Sequence, residues 1–465
     1  MERLHTWPAF RGRIGVARED ITPPQGIYAK NWGAATHDVA EGVHRPLTVT
    51  VLTLQPDEQE AENAPFPLVL ASLDLGWWRT REDEWFLRGG VIDALGLDAR
   101  GVLLALTHTH SGPAICQEDA DQPGGHLIAP YMERVRDAVI HAVRQALNTA
   151  QPATLTVAQG VCDLATNRDL PDPEWERYVC GYFPDGPADT TLLVGRVTAD
   201  NGQSIATLVN YACHPTTLGW ENRKISPDFV GAMREVVEAH TGGAPCLFLQ
   251  GASGELAPRE QYTADTAIAD AHGQHLGFAV LATLAGMPPN GQGMAYAGVV
   301  ESGAPLGIWR RVHYPPARAL RAVQAELPLR LKVLPSLDAI TAMLQQSVEP
   351  FAVERARRML RVRRMVGEGT AVPVPFWVWQ AGEAFFVGHP AEAYSLFQVA
   401  LRQRFPRNAI FALNVVNGHY GYLPPEALFS RDLYAVWQTP FAPGCLEDAV
   451  EFCASLIRGM SEVGT

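Results

Sequence analysis

The sequence predicts an α/β protein in which mixed β-sheets form a central core flanked by helices, with a metal site at the carboxyl ends of the strands. Three observations predict this architecture. Apolar runs of strand length recur along the 465 residues, helical patterns lie between them, and the main polar clusters follow directly after apolar runs. Since sites in open α/β sheets gather at the carboxyl ends of strands, these clusters are expected to converge.

The expected strands are short runs rich in Val, Leu, Ile and Phe, most of them bounded by Gly, Pro or polar residues. They are 47–54, 66–75, 102–106, 204–212, 244–250, 383–388 and 408–416. The expected helices space their apolar residues by about three and four positions. They are 128–148, a helix that opens at Asp228 as its N-cap and runs to 240, and 391–405 behind Pro390.

The whole chain, 1–465, is expected to form one catalytic domain. A stretch rich in Gly and Pro at about 287–315 interrupts the alternation, and a mostly helical region is expected at 316–366. We interpret 287–366 as a helical insertion, which is either a lid over the core or an ordinary helical layer. It carries a basic cluster, for which a solvated helix face is favoured over a patch for an anionic ligand or a lipid surface. The cluster consists of Arg355, Arg357, Arg358, Arg361, Arg363 and Arg364.

Charge and cysteine content restrict the partners and the compartment. The formal net charge of -13 argues against nucleic acid as a partner. No stretch has the roughly 18 apolar residues of a membrane span, and the N-terminal segment has no apolar run typical of a signal peptide. The 7 cysteines form no CxxC pair and are interpreted as thiols in a reducing compartment. A cytoplasmic location is therefore expected, while the oligomeric state is left open.

The segment LLALTHTHSGP, 103–113, gives the strongest indication of a site. An apolar strand runs directly into His108 and His110, and side chains two positions apart on an extended chain point the same way. Both imidazoles are therefore expected on one side of the strand end, and imidazole is a good zinc ligand. Gly112 and Pro113 then force a turn.

Two other clusters follow expected strands in the middle of the chain. In LVNYACHPTT, 208–217, a strand ends at His214, and Pro215 favours an extended conformation for that histidine. In CLFLQGASGELAPRE, 246–260, the sequence GASGE has glutamate where the GxSxG nucleophile elbow needs its final glycine. A serine hydrolase that uses Ser253 is therefore disfavoured.

Two clusters lie in the C-terminal part. In FFVGHPAEAY, 385–394, Glu392 is expected in the first turn of the next helix, where it either serves a site or only stabilises the helix dipole. His389 in the same segment is a competing ligand candidate. In ALNVVNGHYGYLPPE, 412–426, a strand leads into an aromatic loop that contains Tyr422. Tyrosine is an uncommon zinc ligand, and spacing alone does not nominate it.

Taken together, these motifs resemble the neutral/alkaline non-lysosomal ceramidase family. The similar segments are GRIGVAREDITPP, THTHSGP, NRDLPDPEWERY, YACHP, HPAEAY and NGHYGYLPP. THTHSGP is the most specific of them, whereas HPAEAY has Ala391 in place of the glycine in the family's Pro-Gly-Glu. The resemblance extends from about 12 to 445 and is poor over 287–366.

The resemblance implies hydrolysis of an N-acyl bond with one Zn²⁺ ion per chain. It implies that the ion is held by four side chains, His108, His214, Glu392 and Tyr422. It further implies that three side chains contact the reacting amide, namely His110, Arg168 and Tyr434. Zinc lowers the pKa of bound water and polarises a carbonyl, and the three side chains are plausible donors to the oxyanion or the leaving amine.

Two departures from the family leave the substrate open. A serine of the family's Gly-Asp-x-Ser-Pro segment has been proposed as a nucleophile, but Ala257 occupies that position here, which favours the metal-hydroxide route. Members that act on ceramide resemble this chain plus a secretion signal and a C-terminal β domain, and neither is recognisable here. The expected substrate is an N-acyl compound that is either lipid-like or a smaller, soluble amide. The alternatives are a metal-dependent esterase or lactonase on the same scaffold, and a non-catalytic binding protein.

Overall fold

The computed structural model describes residues 3–57 and 66–462. Its strands, numbered in chain order, are β1 Leu4–His5, β2 Ala9–Asp20, β3 Gly42–Val43, β4 Thr48–Gln55, β5 Leu68–Leu73, β6 Val102–Leu106, β7 Gln151–Val161, β8 Ala165–Asn167, β9 Asp169–Asp172, β10 Arg177–Cys180, β11 Thr191–Ala199, β12 Ser204–Tyr211, β13 Lys224–Ile225, β14 Cys246–Gln250, β15 Leu256–Pro258, β16 Gln292–Glu301, β17 Pro305–His313, β18 Leu320–Arg330, β19 Ala371–Ala381, β20 Ala384–Gly388, β21 Glu392–Ala393, β22 Ala409–Leu413 and β23 Tyr422–Leu423. Its α-helices are α1 Arg81–Leu95, α2 Ile128–Asn148, α3 Phe229–His240, α4 Thr266–Ala285, α5 Leu337–Gln346, α6 Pro350–Val366, α7 Leu396–Arg404, α8 Tyr434–Gln438 and α9 Cys445–Glu462.

The largest sheet has eight strands in the order β14-β12-β11-β7-β2-β4-β5-β6. Its inner neighbours are antiparallel, whereas the two outer pairs, β12–β14 and β5–β6, are parallel. Each parallel pair is joined through a helix, α3 in the first case and α1 in the second, as a crossover between parallel strands requires. The sheet also curls, which brings β5 close to β14 at the other end of the strand order. Ser72 Oγ in β5 donates to the Phe248 carbonyl oxygen in β14 at 2.6 Å. The carboxyl ends of the two parallel pairs therefore lie near each other.

A second sheet of four strands, in the order β18-β19-β20-β22, packs against the first. It also contains a parallel pair, β20–β22, which is joined through α7. Along β19, Trp377 and Trp379 face the large sheet, whereas Phe376 and Val378 face the opposite side. This alternation produces a core between the two sheets and a second core under the helices outside the small sheet.

Helices cover the outer faces of both sheets. Helices α1 and α2 pack on one half of the large sheet, and α3 and α4 pack on the other half. Helices α7 and α9 pack against the outer face of the small sheet, together with the end of α6. The predicted α/β fold with mixed sheets flanked by helices is therefore confirmed, and its layers are helices, curled sheet, small sheet and helices.

Most of the expected elements are present, and two expectations were wrong in part. The helix expected from 391 begins only at Leu396, because 392–393 forms the short strand β21. The region expected to be mostly helical from 316 contains strand β18 over 320–330, and its helices begin at Leu337. The Gly- and Pro-rich stretch before it forms a hairpin of β16 and β17. The assignment of 1–465 to a single domain stays a prediction.

Two general features accompany the fold. No helix in the described residues is long and apolar enough to cross a membrane. All seven cysteines are unpaired thiols, and most of them are buried.

Candidate metal centre

The candidate site lies where the three parallel strand pairs end. The loops that follow β5 and β6 contribute Trp77, His108 and His110, and the loop that follows β12 contributes His214. The segments after β20 and β22 contribute Glu392 and Tyr422 from the small sheet. The site therefore draws on both sheets, as the polar clusters at the strand ends predict.

His108 and His214 face each other through their Nε2 atoms, which are 3.3 Å apart. The Nδ1 atom of His108 lies 3.0 Å from the Gly76 carbonyl oxygen, and that of His214 lies 2.6 Å from the Ser253 carbonyl oxygen. A carbonyl only accepts, so each Nδ1 carries the proton and each Nε2 presents a lone pair. Such backbone contacts are typical of imidazoles that bind a metal through the other nitrogen.

His108 leaves the strand in a way that the sequence did not predict. An extended chain was expected to aim His108 and His110 in the same direction, but His108 has φ 69 and lies in the left-handed region. The backbone therefore turns between the two residues, and their ring planes are inclined at 82° with centroids 5.0 Å apart. Both rings still reach the same cavity.

Glu392 completes a tight group of three donors. Its Oε2 atom lies 3.0 Å from Nε2 of His214 and 3.4 Å from Nε2 of His108. Ligands held about 2.0–2.1 Å from a zinc ion in a tetrahedron are about 3.3–3.4 Å apart, so these separations suit one shared ion. Two imidazole lone pairs and a carboxylate so close together repel one another unless a cation or a proton lies between them. Two imidazole nitrogens and a carboxylate oxygen are ligands that suit zinc.

The protonation states of this group also fit a cation. Burial and the charge of Arg168 lower the pKa of His214 to about 3, so its imidazole is neutral. Burial alone would raise the pKa of Glu392, but positive charge at His108 and hydrogen-bond donation from the neighbouring imidazoles hold it well below its ordinary value. With both Nε2 atoms unprotonated, a bound cation would supply that positive charge instead. Neutral imidazole and ionised carboxylate are the forms that bind a metal.

Tyr422 is brought beside Glu392 by the backbone. Strands β21 and β23 pair in parallel with Glu392 opposite Tyr422, and the Glu392 amide donates to the Gly421 carbonyl oxygen at 2.9 Å. Burial and the charge of Glu392 raise the pKa of the Tyr422 hydroxyl well above its ordinary value. This pairing explains why Glu392 lies in a short strand rather than in a helical turn.

Arg168 connects Tyr422 to the histidines. One Nη2 atom donates to the Tyr422 hydroxyl at 3.0 Å and lies 3.3 Å from Nε2 of His214. The same guanidinium donates to the Gly254 carbonyl oxygen through Nε and Nη2, at 3.2 and 2.8 Å. Arg168 is buried, and these contacts hold its positive charge next to Nε2 of His214 and the Tyr422 hydroxyl.

His110 lies in the same cavity with both ring nitrogens buried and without a hydrogen-bond partner in the described residues. Its ring packs between Trp32 and Trp77, at centroid distances of 5.0 and 4.9 Å. Its ring nitrogens also lie close enough to those of His108 and His214 for the three to form a potential metal-binding group, within 4.8 Å of one another. Burial lowers its pKa well below the usual range. A buried neutral imidazole without a partner is suited to contact a ligand in the cavity.

Tyr434 opens α8 and lines the cavity. Its ring centroid lies 5.5 Å from that of Tyr422 in an edge-to-face arrangement. Its hydroxyl accepts a hydrogen bond from Nη1 of Arg358 at 3.0 Å. Because the oxygen is occupied as an acceptor, its own proton is available for a group in the cavity.

The structure adds residues that the sequence had not assigned to the site. His419 lies 2.7 Å from Oε1 of Glu392 through its Nε2 atom, so it orients the carboxylate. Trp77, Arg358 and Arg361 line the cavity. His419 could have been proposed from its position in the loop after β22, whereas the contribution of α6 depends on how that helix folds back onto the core.

Two competing candidates are positioned elsewhere. The ring of His389 packs against Phe376 and Phe397, and its Nδ1 accepts from the Ala391 amide. Ser253 is buried beneath His214, where its hydroxyl accepts from Gln250 at 2.6 Å. Neither side chain lines the cavity.

A family model and a curated protein both match part of this chain. Residues 13–257 match the family model described as neutral/alkaline non-lysosomal ceramidase, N-terminal. Neutral ceramidase A of Dictyostelium discoideum is 29% identical over 154 residues, which are 31% of this chain and 21% of the relative. The match thus spans about a fifth of that curated relative.

Solved structures support the fold. A ceramidase complexed with C2 superposes with a TM-score of 0.68 at 15% identity, over 96% of this chain and 74% of that one. The neutral ceramidase of Pseudomonas aeruginosa gives a TM-score of 0.67 at 16% identity, over 97% of this chain and 74% of that one. The family match covers His108, His110, Arg168 and His214, whereas Glu392, Tyr422 and Tyr434 lie beyond residue 257.

Proposed function

Since the chain belongs to the neutral/alkaline non-lysosomal ceramidase family, we propose that it is a zinc-dependent hydrolase that cleaves an N-acyl amide bond. The observation that carries the proposal is the group formed by Nε2 of His108, Nε2 of His214 and Oε2 of Glu392, with separations of 3.0 to 3.4 Å. Tyr422, which lies opposite Glu392 in the short parallel pair, is proposed as the fourth ligand.

A zinc ion bound there would act as a Lewis acid and would lower the pKa of a bound water, as zinc does in other hydrolases. The chain's own residues prepare its position. The Gly76 and Ser253 carbonyl oxygens fix the tautomers of His108 and His214, and His419 orients the Glu392 carboxylate. Because these contacts exist before substrate arrives, the ligands need little rearrangement.

Three side chains are proposed to act on the amide. Tyr434 donates its hydroxyl proton to the oxygen or nitrogen that gains charge, while Arg358 holds the phenol in place. Arg168 places a fixed positive charge beside His214 and Tyr422, where it stabilises negative charge that develops on the substrate. His110, neutral and without a partner in the described residues, accepts or donates a hydrogen bond at the reacting group.

The ligand assignment is tested with His108→Ala. The variant should lose most of its zinc, measured by elemental analysis of the purified protein, and nearly all amide hydrolysis, with an unchanged circular dichroism spectrum. His126→Ala is the matched control, because His126 is exposed and does not line the cavity. Retention of stoichiometric zinc by folded His108→Ala protein would show that the ion is held elsewhere.

The proposed donor is tested with Tyr434→Phe, which should keep the zinc and lower kcat by about 10²–10³, the cost of removing a comparable oxyanion donor in other enzymes. Tyr420→Phe is the control, since Tyr420 is buried in the neighbouring loop but does not line the cavity. The substrates are short N-acyl amines, with aryl esters and lactones assayed in parallel. If Tyr434→Phe hydrolyses the amides at the rate of the control, Tyr434 is not the donor.

A further inference from the structure

Helix α6 forms one wall of the cavity beside the candidate metal centre. The residues that face the cavity recur at helical spacing, so they make a single stripe along α6. They are Glu354, Arg358, Arg361, Val362 and Met365. The sequence favoured a solvated helix face for the arginines of this helix. In the structure, Arg358 and Arg361 line the cavity instead.

The cavity is small. Its volume is about 60 Å³, whereas pockets for drug-sized ligands usually hold about 300–1,000 Å³. A space of this size admits a few heavy atoms beside the metal position. Only a small part of a substrate therefore fits between the metal position and α6, and the rest extends towards the opening of the cavity.

The cavity also carries an excess of positive charge. Three guanidinium groups line it, those of Arg79, Arg358 and Arg361, against two carboxylates, Glu354 and Glu392. Outside this lining, Arg168 lies beside His214 and Asp119 pairs with two of the lining arginines. Two of the arginines, Arg79 and Arg361, share one carboxylate, since Asp119 accepts from both at 2.6 and 2.7 Å. A divalent ion at the candidate centre would add to this excess.

Arg361 and Arg358 retain donors that no described residue occupies. A guanidinium has five N–H donors. Within the described residues, Arg361 uses one of them, on Asp119, and Arg358 uses three, on Glu354, Tyr434 and the Asn31 carbonyl oxygen. Both side chains are partly exposed, to 20% and 28%, and both line the cavity, so the remaining donors are available to a ligand there.

We propose that Arg361 and Arg358 bind an oxyanion group of the substrate, so that the substrate class is an N-acyl amide that carries a carboxylate or phosphate. The planar guanidinium fork matches such groups in two-point contacts. This inference rests on the proposed amide hydrolysis and specifies its substrate. It predicts that this chain prefers an anionic amide to a neutral lipid amide.

The test compares matched substrates on the zinc-loaded protein. N-butanoylglycine carries a carboxylate, N-butanoylglycinamide replaces it with a neutral amide of the same shape, and N-butanoyl-O-phosphoethanolamine carries a phosphate. A second pair, N-propylsuccinamic acid and N-propylbutanamide, places the charge on the acyl half. We expect kcat/KM to be at least tenfold higher for an anionic compound than for its neutral partner, and the better of the two anions identifies the group. Equal values for every pair would overturn the inference.

Arg361→Gln identifies the residue responsible. It should raise KM for the preferred anionic substrate at least tenfold more than it raises KM for the neutral partner. Arg364→Gln on the same helix is the control, because Arg364 is exposed, pairs with Glu118 and does not line the cavity. Arg361→Lys keeps the charge and should restore part of the preference. An equal effect of Arg361→Gln on both substrates would indicate a structural role and contradict the proposal.

Binding separates this inference from the proposed reaction. Calorimetry with N-butanoylglycine and N-butanoylglycinamide should show tighter binding of the anion by the wild-type protein and loss of that preference in Arg361→Gln. If the anion binds selectively but no amide is cleaved, the anion site stands and the proposed reaction fails. If neither compound is preferred, the anion site fails, whatever the hydrolysis assay shows.

Discussion

Glu255 is a buried acid whose carboxylate has no cationic partner among the described residues. Its oxygens accept from the Ser395 amide at 3.0 Å and from the Ser395 hydroxyl. Burial raises its pKa to about 7, and the hydrogen bonds of Ser395 offset only part of that rise. In the folded protein this group therefore holds its proton to higher pH than it does in the unfolded chain.

This imbalance predicts how stability depends on pH. Between the unfolded pKa of 4.5 and the folded pKa of about 7, the folded state binds the extra proton, so the free energy of unfolding falls as pH rises. The full loss is about 3 kcal/mol. Urea denaturation from pH 4.5 to 8 should show this decline in the wild type and much less of it in Glu255→Gln. Glu260→Gln, at an exposed position, should follow the wild type; a decline of the same size in Glu255→Gln would refute the assignment.

At the scale of residues, the sequence itself pointed to only part of the candidate site. His108, His110 and His214 could be predicted because each follows an apolar strand closely. Arg168 lies between two short strands, and Tyr434 begins a five-residue helix, so no periodic pattern marks either of them. Family resemblance alone nominated these two residues, and their roles stay predictions.

At the scale of single elements, α3 depends on an unusual N-cap. Asp228 lies in the left-handed region, with φ 56, and its carboxylate accepts from the Phe229 amide at 2.7 Å and the Leu218 amide at 2.9 Å. Both amides are buried. The side chain thus begins α3 and also fixes the loop that follows His214.

Asp228→Ala should therefore cost more than the loss of an ordinary cap. Removing a cap costs about 0.5–2 kcal/mol, and leaving a buried donor unpaired costs about 1–3 kcal/mol. We expect a loss of about 2–4 kcal/mol in the free energy of unfolding, measured by urea denaturation. Asp265→Ala, which removes the exposed cap of α4, should cost about 1 kcal/mol. Equal losses in the two variants would show that the Leu218 contact contributes nothing.

Strand β18 shows why an element can be misread from its sequence. The run LRAVQAELPLR is rich in residues that favour helices, yet it pairs with β19 over its whole length. Pro328 is tolerated because β18 is an edge strand and need not donate on its outer side. Tertiary pairing thus overrides local propensity, and no local signal in 320–330 could have revealed it.

At the scale of the whole molecule, the fold class was predictable and the arrangement of the layers was not. Alternating strands and helices indicated mixed sheets with helices outside. The packing of Trp377 and Phe386 against residues of the large sheet joins segments hundreds of positions apart, which a single sequence does not specify. The cytoplasmic location also stays a prediction.

The division of the proposed ligands between the two sheets predicts that a bound metal would stabilise the whole molecule. His108 and His214 follow strands of the large sheet, whereas Glu392 and Tyr422 follow strands of the small one. A ligand that binds only the folded state at about 1,000 times its Kd adds about 4 kcal/mol. Chelation should therefore lower Tm of the wild type in a calorimetric scan. The same treatment should leave Tm of His108→Ala unchanged, and an equal drop in both would mean that the chelator acts elsewhere.

The proposed ligand set also predicts an order of assembly for the protein. Each half of the chain holds only two of the four proposed ligands, so metal uptake would belong to the last stage of folding, after the small sheet has docked. During synthesis, the first half of the chain would leave the ribosome as a metal-free intermediate. Dissociation of the ion would, in turn, be an early sign that the two halves have begun to part.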